Sequence, residues 1–274
     1  MSEVGSRFAK TSINCDVHGA VEVLAGWPIC GECAEQRRVA EAAARQAKQE
    51  AAARTECIES ALKASGLVGR FLTATLDTFE VSDSKRRAAL RAARLFADAV
   101  GAPEWRVLWL IGTPGTGKTH LASGIVRHVI EQHYPLTAAI RTVGEIIAEH
   151  RSLWDPYHRE QRRAHNETIA REGGSPSRPT TTDELAAWLG SRSLLVIDDL
   201  GATRLGDAEL EILFNVVDLR YRACRPTVIT SNLPARDLAE QLGLRLTDRL
   251  QERATIVPCA WPSRRPGPLN RTPA

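Results

Sequence analysis

The stretch RVLWLIGTPGTGKTHLASGIVRHVIEQH (106–133) decides the fold of this chain. It starts with an apolar run, crosses a glycine-rich loop and continues with apolar residues at the spacing of a helix. The loop matches the pattern G-x-x-x-x-G-K-[ST], in which backbone N–H groups and the helix N-terminus surround phosphate oxygens. We therefore predict a phosphate-binding loop, the P-loop, formed by Gly112, Thr113, Pro114, Gly115, Thr116, Gly117, Lys118 and Thr119.

Two side chains of the P-loop and two carboxylates farther along the chain favour a nucleoside triphosphate bound with Mg²⁺. Lys118 is suited to reach the β- and γ-phosphates, and the Thr119 hydroxyl is suited to bind the metal. The run LLVIDD (194–199) is an apolar strand that ends in two aspartates, at the edge of the sheet where ligands bind. We predict that Asp198 binds the Mg²⁺ shell and that Asp199 orients or deprotonates the attacking water.

Polar and basic residues nearer the C-terminus are further candidates for this site. Asn232 ends a strand, where its amide could contact the γ-phosphate or the water; the alternative is an Asn-initiated turn. Arginines follow whose guanidinium groups could stabilise charge on a transferring phosphoryl group: Arg245, Arg249, Arg253, Arg264 and Arg265. The four-residue spacing of the first three predicts that they share one helical face.

Strands and helices alternate around the P-loop. The predicted elements are strands at 106–112, 136–143, 193–199 and 226–232, and helices at 118–133, 144–154 and 207–223. This alternation predicts an α/β fold with a parallel sheet flanked by helices. The segment 171–183 has the composition of a loop, and the end of the chain has that of a disordered tail.

The N-terminal region carries two pairs of metal-ligand residues. Cys15-x-x-His18 and Cys30-x-x-Cys33 together offer the Cys₃His set that structural Zn²⁺ prefers. A segment this short has no adequate core, so the metal would supply its folding energy. The alternatives are a redox pair at Cys30 and Cys33, or cysteines without a shared role. The remaining cysteines are interpreted as small buried or surface residues: Cys57, Cys224 and Cys259.

A long helix is predicted to follow the cysteines. Residues 35–65 are rich in Ala, Glu, Gln, Arg and Lys and contain no Gly or Pro, and Ser65-Gly66 ends the pattern. The apolar residues of this helix are small and sparse, so it buries little surface. It is either a solvated connecting helix or a helix that binds a partner.

The composition excludes several classes of protein. The chain has 274 residues, 43% of them hydrophobic, and its 36 basic and 33 acidic residues give a net charge of +3. No apolar run reaches the roughly 18 residues of a membrane span, and the N-terminus lacks the apolar core of a signal peptide. Six cysteines are too sparse for a disulfide scaffold, which favours a reducing, cytoplasmic compartment.

The segment 141–171 combines basic and aromatic residues that suit single-stranded DNA. Its arginines could follow phosphates while Trp154 and Tyr157 stack on bases. Five acidic residues nearly balance the six arginines, so a solvated helical face is the alternative. The arginines are Arg141, Arg151, Arg159, Arg162, Arg163 and Arg171.

Taken in order, these motifs resemble the AAA+ ATPases, and within them the DnaC-type replicative helicase loaders. The similar stretch covers residues 70–266 and includes GTPGTGKTHLA, LLVIDDLG, VVDLRYRACRPT, VITSN and LRLTDRLQER. The resemblance implies that Asn232 is sensor 1, Arg249 the arginine finger and Arg265 sensor 2. The acidic pair is Asp-Asp, where many AAA+ proteins have Asp-Glu, and the shorter Asp199 implies slow hydrolysis.

The cysteine cluster also resembles the small helicase-binding domain of some loaders. The chain is then expected to contain a zinc-binding helicase-interaction module at 1–34, a connecting helix at 35–67, an AAA+ domain at 68–266 and a disordered tail at 267–274. The resemblance implies an ATP-dependent homo-oligomer that binds a replicative hexameric helicase and delivers it to single-stranded DNA. Two alternatives remain: an IstB-type helper of DNA transposition, and a P-loop kinase of small molecules.

Overall fold

Four stretches of the chain are described by the computed structural model: residues 10–24, 29–171, 179–202 and 204–263. The chain divides into two compact units, Met1–Cys57 and Ile58–Ala274. The predicted loop at 171–183 lies largely outside the described residues, and the predicted tail at 267–274 lies entirely outside them. Among the described helices, none combines the length and the apolar character needed to cross a bilayer.

The first unit contains a β-hairpin and most of the helix that follows it. β1 (Lys10–Cys15) pairs antiparallel with β2 (Gly19–Leu24). Gly19 opens the second strand with a φ of 71°, a left-handed conformation that glycine adopts without strain. α1 (Gly31–Ala64) starts one turn earlier than the sequence predicts, because Cys33 lies in its first turn instead of preceding it. The helix ends at the predicted Ser-Gly turn.

The second unit is built on a five-stranded sheet. Its strands are β3 (Val107–Ile111), β4 (Ala138–Thr142), β5 (Leu194–Asp198), β6 (Thr227–Ser231) and β7 (Ala254–Pro258). They lie in the order β4-β5-β6-β3-β7, and every neighbouring pair is parallel. This sheet, flanked by helices, confirms the predicted fold class. Of its strands, β7 was not predicted from the sequence.

Helices connect these strands. They are α2 (Ser84–Asp98), α3 (Lys118–Gln132), α4 (Val143–Ser152), α5 (Pro156–Arg171), α6 (Thr182–Ser191), α7 (Asp207–Arg222) and α8 (Ala235–Gln251), preceded by a 3₁₀ turn at Gly69–Thr73. α8 is kinked at Gly243, where φ is 75°. The helices predicted from periodicity correspond to α3, α4 and α7 within one or two residues at each end.

Two apolar cores cover the two faces of the sheet. Side chains alternate along each strand, so Leu108 and Leu110 of β3 pack with α2 and α3 on one face. Val107 and Trp109 face the opposite way and pack with α4, α6, α7 and α8. All four side chains are at most 1% exposed. The second unit is therefore a three-layer structure with a rigid sheet at its centre.

A buried arginine joins the ends of several elements. Arg220 on α7 donates to Thr227 Oγ1 at 2.9 Å and to the carbonyl oxygens of Leu189 at 3.2 Å and Arg192 at 2.7 Å. These bonds satisfy carbonyl groups that the end of α6 leaves open. Burial lowers the pKa of Arg220 to about 9, so the guanidinium keeps its charge at neutral pH.

Candidate functional site

The strand order places three functional segments side by side. β6 lies between β3, which leads into the P-loop, and β5, which ends in the acidic pair. Because all five strands are parallel, their C-terminal ends meet at one edge of the sheet. The structure brings Lys118, Asp198 and Asn232 together at this edge, although they lie far apart in sequence.

Lys118 is fixed at the first residue of α3. Its Nζ donates to the carbonyl oxygens of Gly112 at 2.7 Å and Thr113 at 3.0 Å, and to Asn232 Oδ1 at 2.7 Å. The residue is 5% exposed, so its charge acts in a partly desolvated setting. These contacts hold the ammonium beside the P-loop amides, where a phosphate group would meet it.

Asp198 and Thr119 form the metal-binding half of the site. Thr119 Oγ1 lies 3.2 Å from both carboxylate oxygens of Asp198. Two oxygens bound to Mg²⁺ at adjacent octahedral positions, about 2.1 Å from the ion, stand roughly 3 Å apart, so the donor set fits this cation. Thr230 donates to Asp198 Oδ1 at 2.5 Å and fixes the carboxylate from β6. Burial raises the pKa of Asp198, and the neighbouring Asp199 adds to this effect.

Asp199 and Asn232 face each other across the cleft. Asp199 has a φ of 55°, and its backbone N–H donates to Thr230 Oγ1 at 2.9 Å, which turns the chain sharply after β5. Asn232 Nδ2 lies 3.5 Å from Asp199 Oδ1. The amide therefore spans Lys118 on one side and the second aspartate on the other. This geometry suits a group that senses the γ-phosphate.

Close packing holds the P-loop backbone in place. A Cβ on Gly112 would lie 2.3 Å from the carbonyl oxygen of Cys259, and one on Gly117 would lie 2.9 Å from the Phe79 ring. Trp261 Nε1 donates to the carbonyl oxygen of Thr116 at 2.8 Å. Glycine is required at both ends of the loop because other chain segments approach the backbone directly.

A cleft of about 600 Å³ opens over the P-loop. Besides the P-loop, Asp199 and Asn232, it is lined by Arg70, Phe71 and His120. The Arg70 guanidinium lies 5.0 Å from the centre of the Phe71 ring, which offers a flat surface for a base. These three residues were not predicted from the sequence. His120 directly follows Thr119 and so could have been proposed, whereas Arg70 and Phe71 belong to no motif.

Arg249 lies apart from the cleft of its own chain. Its guanidinium is 2.6 Å from Asp218 Oδ1 and 4.7 Å from the centre of the Phe214 ring. Among the described residues, it is not one of those that line the cleft. A role in nucleotide chemistry would therefore require a neighbouring subunit. Arg245 stacks on the same Phe214 ring at 4.5 Å, so these two arginines share a face of α8.

The other predicted arginines do not join that face. Arg253 lies beyond the end of α8 with a φ of 55° and lies 3.6 Å from Glu104, so the expected three-arginine helical face is wrong at this position. The helix ends at Gln251, before the third repeat. Arg264 and Arg265 lie outside the described residues.

The cysteine cluster has the dimensions of a tetrahedral metal site. Cys15 Sγ lies 3.5 Å from Cys33 Sγ and 3.7 Å from His18 Nδ1, and His18 Nδ1 lies 3.6 Å from Cys30 Sγ and 3.4 Å from Cys33 Sγ. Zinc bonds of about 2.3 Å to sulfur and about 2.0 Å to nitrogen give tetrahedral edges of roughly 3.5 to 3.8 Å. These four distances are therefore compatible with bound Zn²⁺, and all four ligand atoms lie within 4.8 Å of one another.

The surroundings of the cluster favour a bound cation. His18 Nε2 lies 3.2 Å from Glu32 Oε2, the carboxylate partner that commonly orients a metal-binding histidine. Hydrogen bonds from the backbone at His18 and Val17 lower the pKa of Cys15 to about 6. The hydrogen bond with Cys15 raises the pKa of Cys33 to about 11. A second thiolate beside the first is unfavourable unless a cation balances them.

The segment 141–171 exposes two aromatic rings, and most of its arginines have hydrogen-bonding or ion-pair partners. Trp154 and Tyr157 are 69% and 66% exposed. Most of its arginines have partners: Arg151 pairs with Glu209, Arg162 with Glu149 and Arg171 with Glu167, and Arg159 donates to the carbonyl oxygen of Leu153. This segment therefore offers stacking surface with little unpaired positive charge.

Known structures share this fold. A crystal structure described as the DnaC helicase loader matches with a TM-score of 0.53 at 23% identity, over 70% of this chain and 99% of that one. A crystal structure of DnaI matches with a TM-score of 0.54 at 22% identity, over 72% of this chain and 94% of that one. At these identities the likeness shows the fold alone. No protein-family model matches the chain.

A sequence relationship accompanies the fold. The replicative helicase loader DnaC of Buchnera aphidicola subsp. Schizaphis graminum (strain Sg) is 25% identical over 194 residues, 71% of this chain and 70% of that protein. The chain is therefore similar to DnaC-type helicase loaders in both sequence and fold. The P-loop, Lys118 and the Thr119–Asp198 pair of this chain fit a nucleoside triphosphate bound with Mg²⁺.

Proposed function

We propose that this chain is an ATP-dependent loader that binds a replicative hexameric DNA helicase and delivers it to single-stranded DNA. The observation that supports it best is the convergence of the P-loop, Asp198 and Asn232 in one cleft, together with a sequence relationship, over 71% of the chain, to a replicative helicase loader. A small-molecule kinase would need no amide at Asn232 and no arginine at Arg249. A transposition helper would share the ATP site but not the cysteine cluster.

The nucleotide site acts as a sensor of the γ-phosphate. Lys118 exchanges its hydrogen bond to Asn232 for one to a phosphate oxygen, which frees the Asn232 amide to turn toward the phosphate or the water. Asp198 and Thr119 would hold Mg²⁺, which would neutralise phosphate charge when bound. Asp199 orients the water. This exchange links occupancy of the cleft to the position of the loop after β6.

ATP binding then joins subunits. Arg249 reaches the γ-phosphate of the neighbouring subunit and leaves its own Asp218 to do so. A guanidinium supplied from outside the cleft makes hydrolysis depend on assembly. Slow hydrolysis by the isolated chain follows, because the finger is held by Asp218 and the second acid is the short Asp199.

The remaining parts bind the partners. The zinc module binds the helicase; its metal ligands are Cys15, His18, Cys30 and Cys33. Trp154 and Tyr157 stack on the bases of single-stranded DNA. Stacking tolerates any base sequence, as a loader requires, and the paired arginines nearby add little salt-dependent attraction.

The decisive experiment is capture of a hexameric replicative helicase, encoded either beside the gene for this chain or elsewhere in the same cell. We expect the full chain to retain the helicase on a column, and Cys30→Ser/Cys33→Ser to lose it. Cys224→Ser, which replaces an exposed cysteine outside the cluster, is the matched control and should retain it. Retention by the double variant would contradict the assignment of the module, and no retention by any form would contradict the loader proposal.

DNA preference separates the two DNA-related functions. Fluorescence anisotropy with ATP and Mg²⁺ should show tighter binding to a single-stranded oligonucleotide than to the duplex. Trp154→Ala/Tyr157→Ala should weaken single-strand binding by about 10-fold or more, because each base–aromatic stack contributes about 1–3 kcal/mol. A preference for duplex DNA would contradict the loader and favour the transposition helper.

A further inference from the structure

A second cluster of metal-ligand side chains lies at the far end of the P-loop helix. Asp98 is the last residue of α2, His128 lies in the last turns of α3, and His133 caps α3. α3 has fifteen residues, so the cluster lies about 20 Å from Lys118 at its first residue. The cluster belongs to neither the nucleotide site nor the cysteine cluster.

The geometry of the three side chains suits one cation. One ligand atom from each of Asp98, His128 and His133 can be chosen so that all lie within 4.8 Å of one another. His128 Nε2 lies 2.8 Å from Asp98 Oδ1, and the two imidazole rings have centroids 5.8 Å apart. Ligand atoms on one ion lie roughly 3 to 4 Å apart, so donors within 4.8 Å of one another are close to the spacing of a metal site.

His133 supplies an independent sign of a missing ligand. Its Nε2 atom is buried and has no hydrogen-bond partner among the described residues. Buried polar atoms are almost always paired, and an unpaired one costs about 1–3 kcal/mol. A simple hydrogen bond between His128 and Asp98 accounts for those two residues but leaves this nitrogen unexplained. A cation between the rings would satisfy it.

The electrostatic setting favours positive charge. α2 and α3 end side by side, because Asp98 at the end of one contacts His128 near the end of the other. The C-terminal end of each helix carries a partial negative charge, so two such ends attract a cation. The nearby arginines are already paired with acids: Arg94 with Asp77 at 2.5 Å and Arg127 with Glu131 at 2.6 Å.

We propose that Asp98, His128 and His133 bind a divalent transition-metal ion of the Zn²⁺ class, with water completing the coordination. Two imidazoles and one carboxylate are a donor set that zinc accepts in place of thiolates. The ion cross-links the ends of α2 and α3 and stabilises the second unit. This inference stands apart from the loader proposal and from zinc at the cysteine cluster, since it rests on other residues.

The test is a zinc titration of full-length protein that already carries one equivalent of Zn²⁺ at the thiolate set. Isothermal titration calorimetry should detect one further site per chain, and the melting temperature of the second unit should rise with added Zn²⁺. His133→Gln and His128→Gln should each weaken this second site about 10-fold or more. His158→Gln removes an exposed histidine on α5 and should bind as the parent does.

Each outcome decides the question. The proposal fails if the parent shows no second site at about 100 μM free Zn²⁺, a concentration well above the Kd expected of a His₂Asp site. It fails also if both histidine variants bind as tightly as His158→Gln. Should His128→Gln not fold, Asp98→Asn serves in its place, since Asp98 is exposed. Loss of zinc at the cysteine cluster would leave this second site intact.

Discussion

At the scale of single residues, Asp198 is placed to bind a cation, although its burial lowers the stability of the nucleotide-free protein. The carboxylate is buried at the end of β5, and Thr119 and Thr230 hold it with hydrogen bonds. Burial nevertheless raises its pKa above the ordinary value of 3.8, so ionisation costs more in the nucleotide-free protein than in the unfolded chain. Mg²⁺ with its nucleotide would relieve that cost. The residue is therefore suited to binding a cation more than to holding the empty fold together.

A substitution at this residue separates the two effects. We expect Asp198→Asn to raise the melting temperature of the nucleotide-free protein and to abolish the contribution of Mg²⁺ to ATP affinity. Because the folded-state pKa is raised, the parent should lose stability as pH rises above 3.8 through that pKa, and the variant should lose less. Calorimetric melting across this pH range, with and without ATP and Mg²⁺, measures both.

The exposed Asp237 is the matched control. Asp237→Asn removes a charge in the first turn of α8 and should lower or leave unchanged the melting temperature, with Mg²⁺-dependent binding intact. If Asp198→Asn has a lower melting temperature and an unaltered pH dependence, the buried charge does not destabilise the folded protein.

The residues that could be predicted are those with fixed spacing in the chain. Lys118 and Thr119 belong to a contiguous pattern, and Asp198 follows an apolar run. Arg70 and Phe71 reach the cleft only through tertiary packing, so no local pattern marks them. The same holds for the carbonyl of Cys259, which makes Gly112 indispensable although its φ is not positive.

At the scale of elements, two glycines separate the effect of close packing from the effect of helix propensity. Gly112 joins β3 to the P-loop and lies against Cys259, whereas Gly144 in α4 has only Thr142 Oγ1, at 3.9 Å, near the place of a Cβ. We expect Gly112→Ala to destabilise the protein by about 1–3 kcal/mol, because the added Cβ would displace the backbone at Cys259, just after β7. Gly144→Ala should stabilise it by about 0.5–1 kcal/mol through helix propensity. Urea denaturation measures both.

The opposite ranking of these two variants would contradict the packing account of the P-loop. Equally small changes in unfolding free energy for both variants would also contradict it, since the backbone at Cys259 would then shift at little cost. Nucleotide affinity adds a second measure, because Gly144→Ala should leave it unchanged.

Among the elements, the buried strands and the helices with long periodic patterns followed from the sequence. β3 and β5 contain apolar runs next to motifs, β6 is a buried strand with a Val-Ile pair shortly before Asn232, and α3 and α7 carry apolar residues at helical spacing. β7 is an edge strand with a mixed pattern of exposed and buried residues, so its sequence carries little signal. The β1–β2 hairpin is short and mostly exposed, and a metal would fix it more than its own apolar residues.

At the scale of the whole molecule, hydrolysis should depend on contact between copies. We expect Arg249→Ala to bind ATP as the parent does but to lose about 1,000-fold in assembled ATPase rate, because an arginine finger contributes about 10³ or more. Mixing Arg249→Ala with Lys118→Ala should restore part of the rate, since each supplies what the other lacks. A phosphate-release assay on the separate and mixed variants measures this.

The control for that experiment is Arg253→Ala, which removes an exposed arginine paired with Glu104. It should hydrolyse ATP at the parental rate. If mixing restores nothing while Arg249→Ala alone is inactive, Arg249 acts within its own subunit or only through its contact with Asp218.

Every proposed role of the cleft requires Lys118 to contact the phosphates of a magnesium nucleotide, and one titration checks this contact. ATP affinity in the presence of Mg²⁺ should fall about 10- to 100-fold for Lys118→Ala, since a charge-assisted hydrogen bond contributes about 1.5–3 kcal/mol. Lys85→Ala, at an exposed lysine on α2, should bind as the parent does. Equal affinity for the parent and a folded Lys118→Ala would contradict the nucleotide site and everything proposed from it.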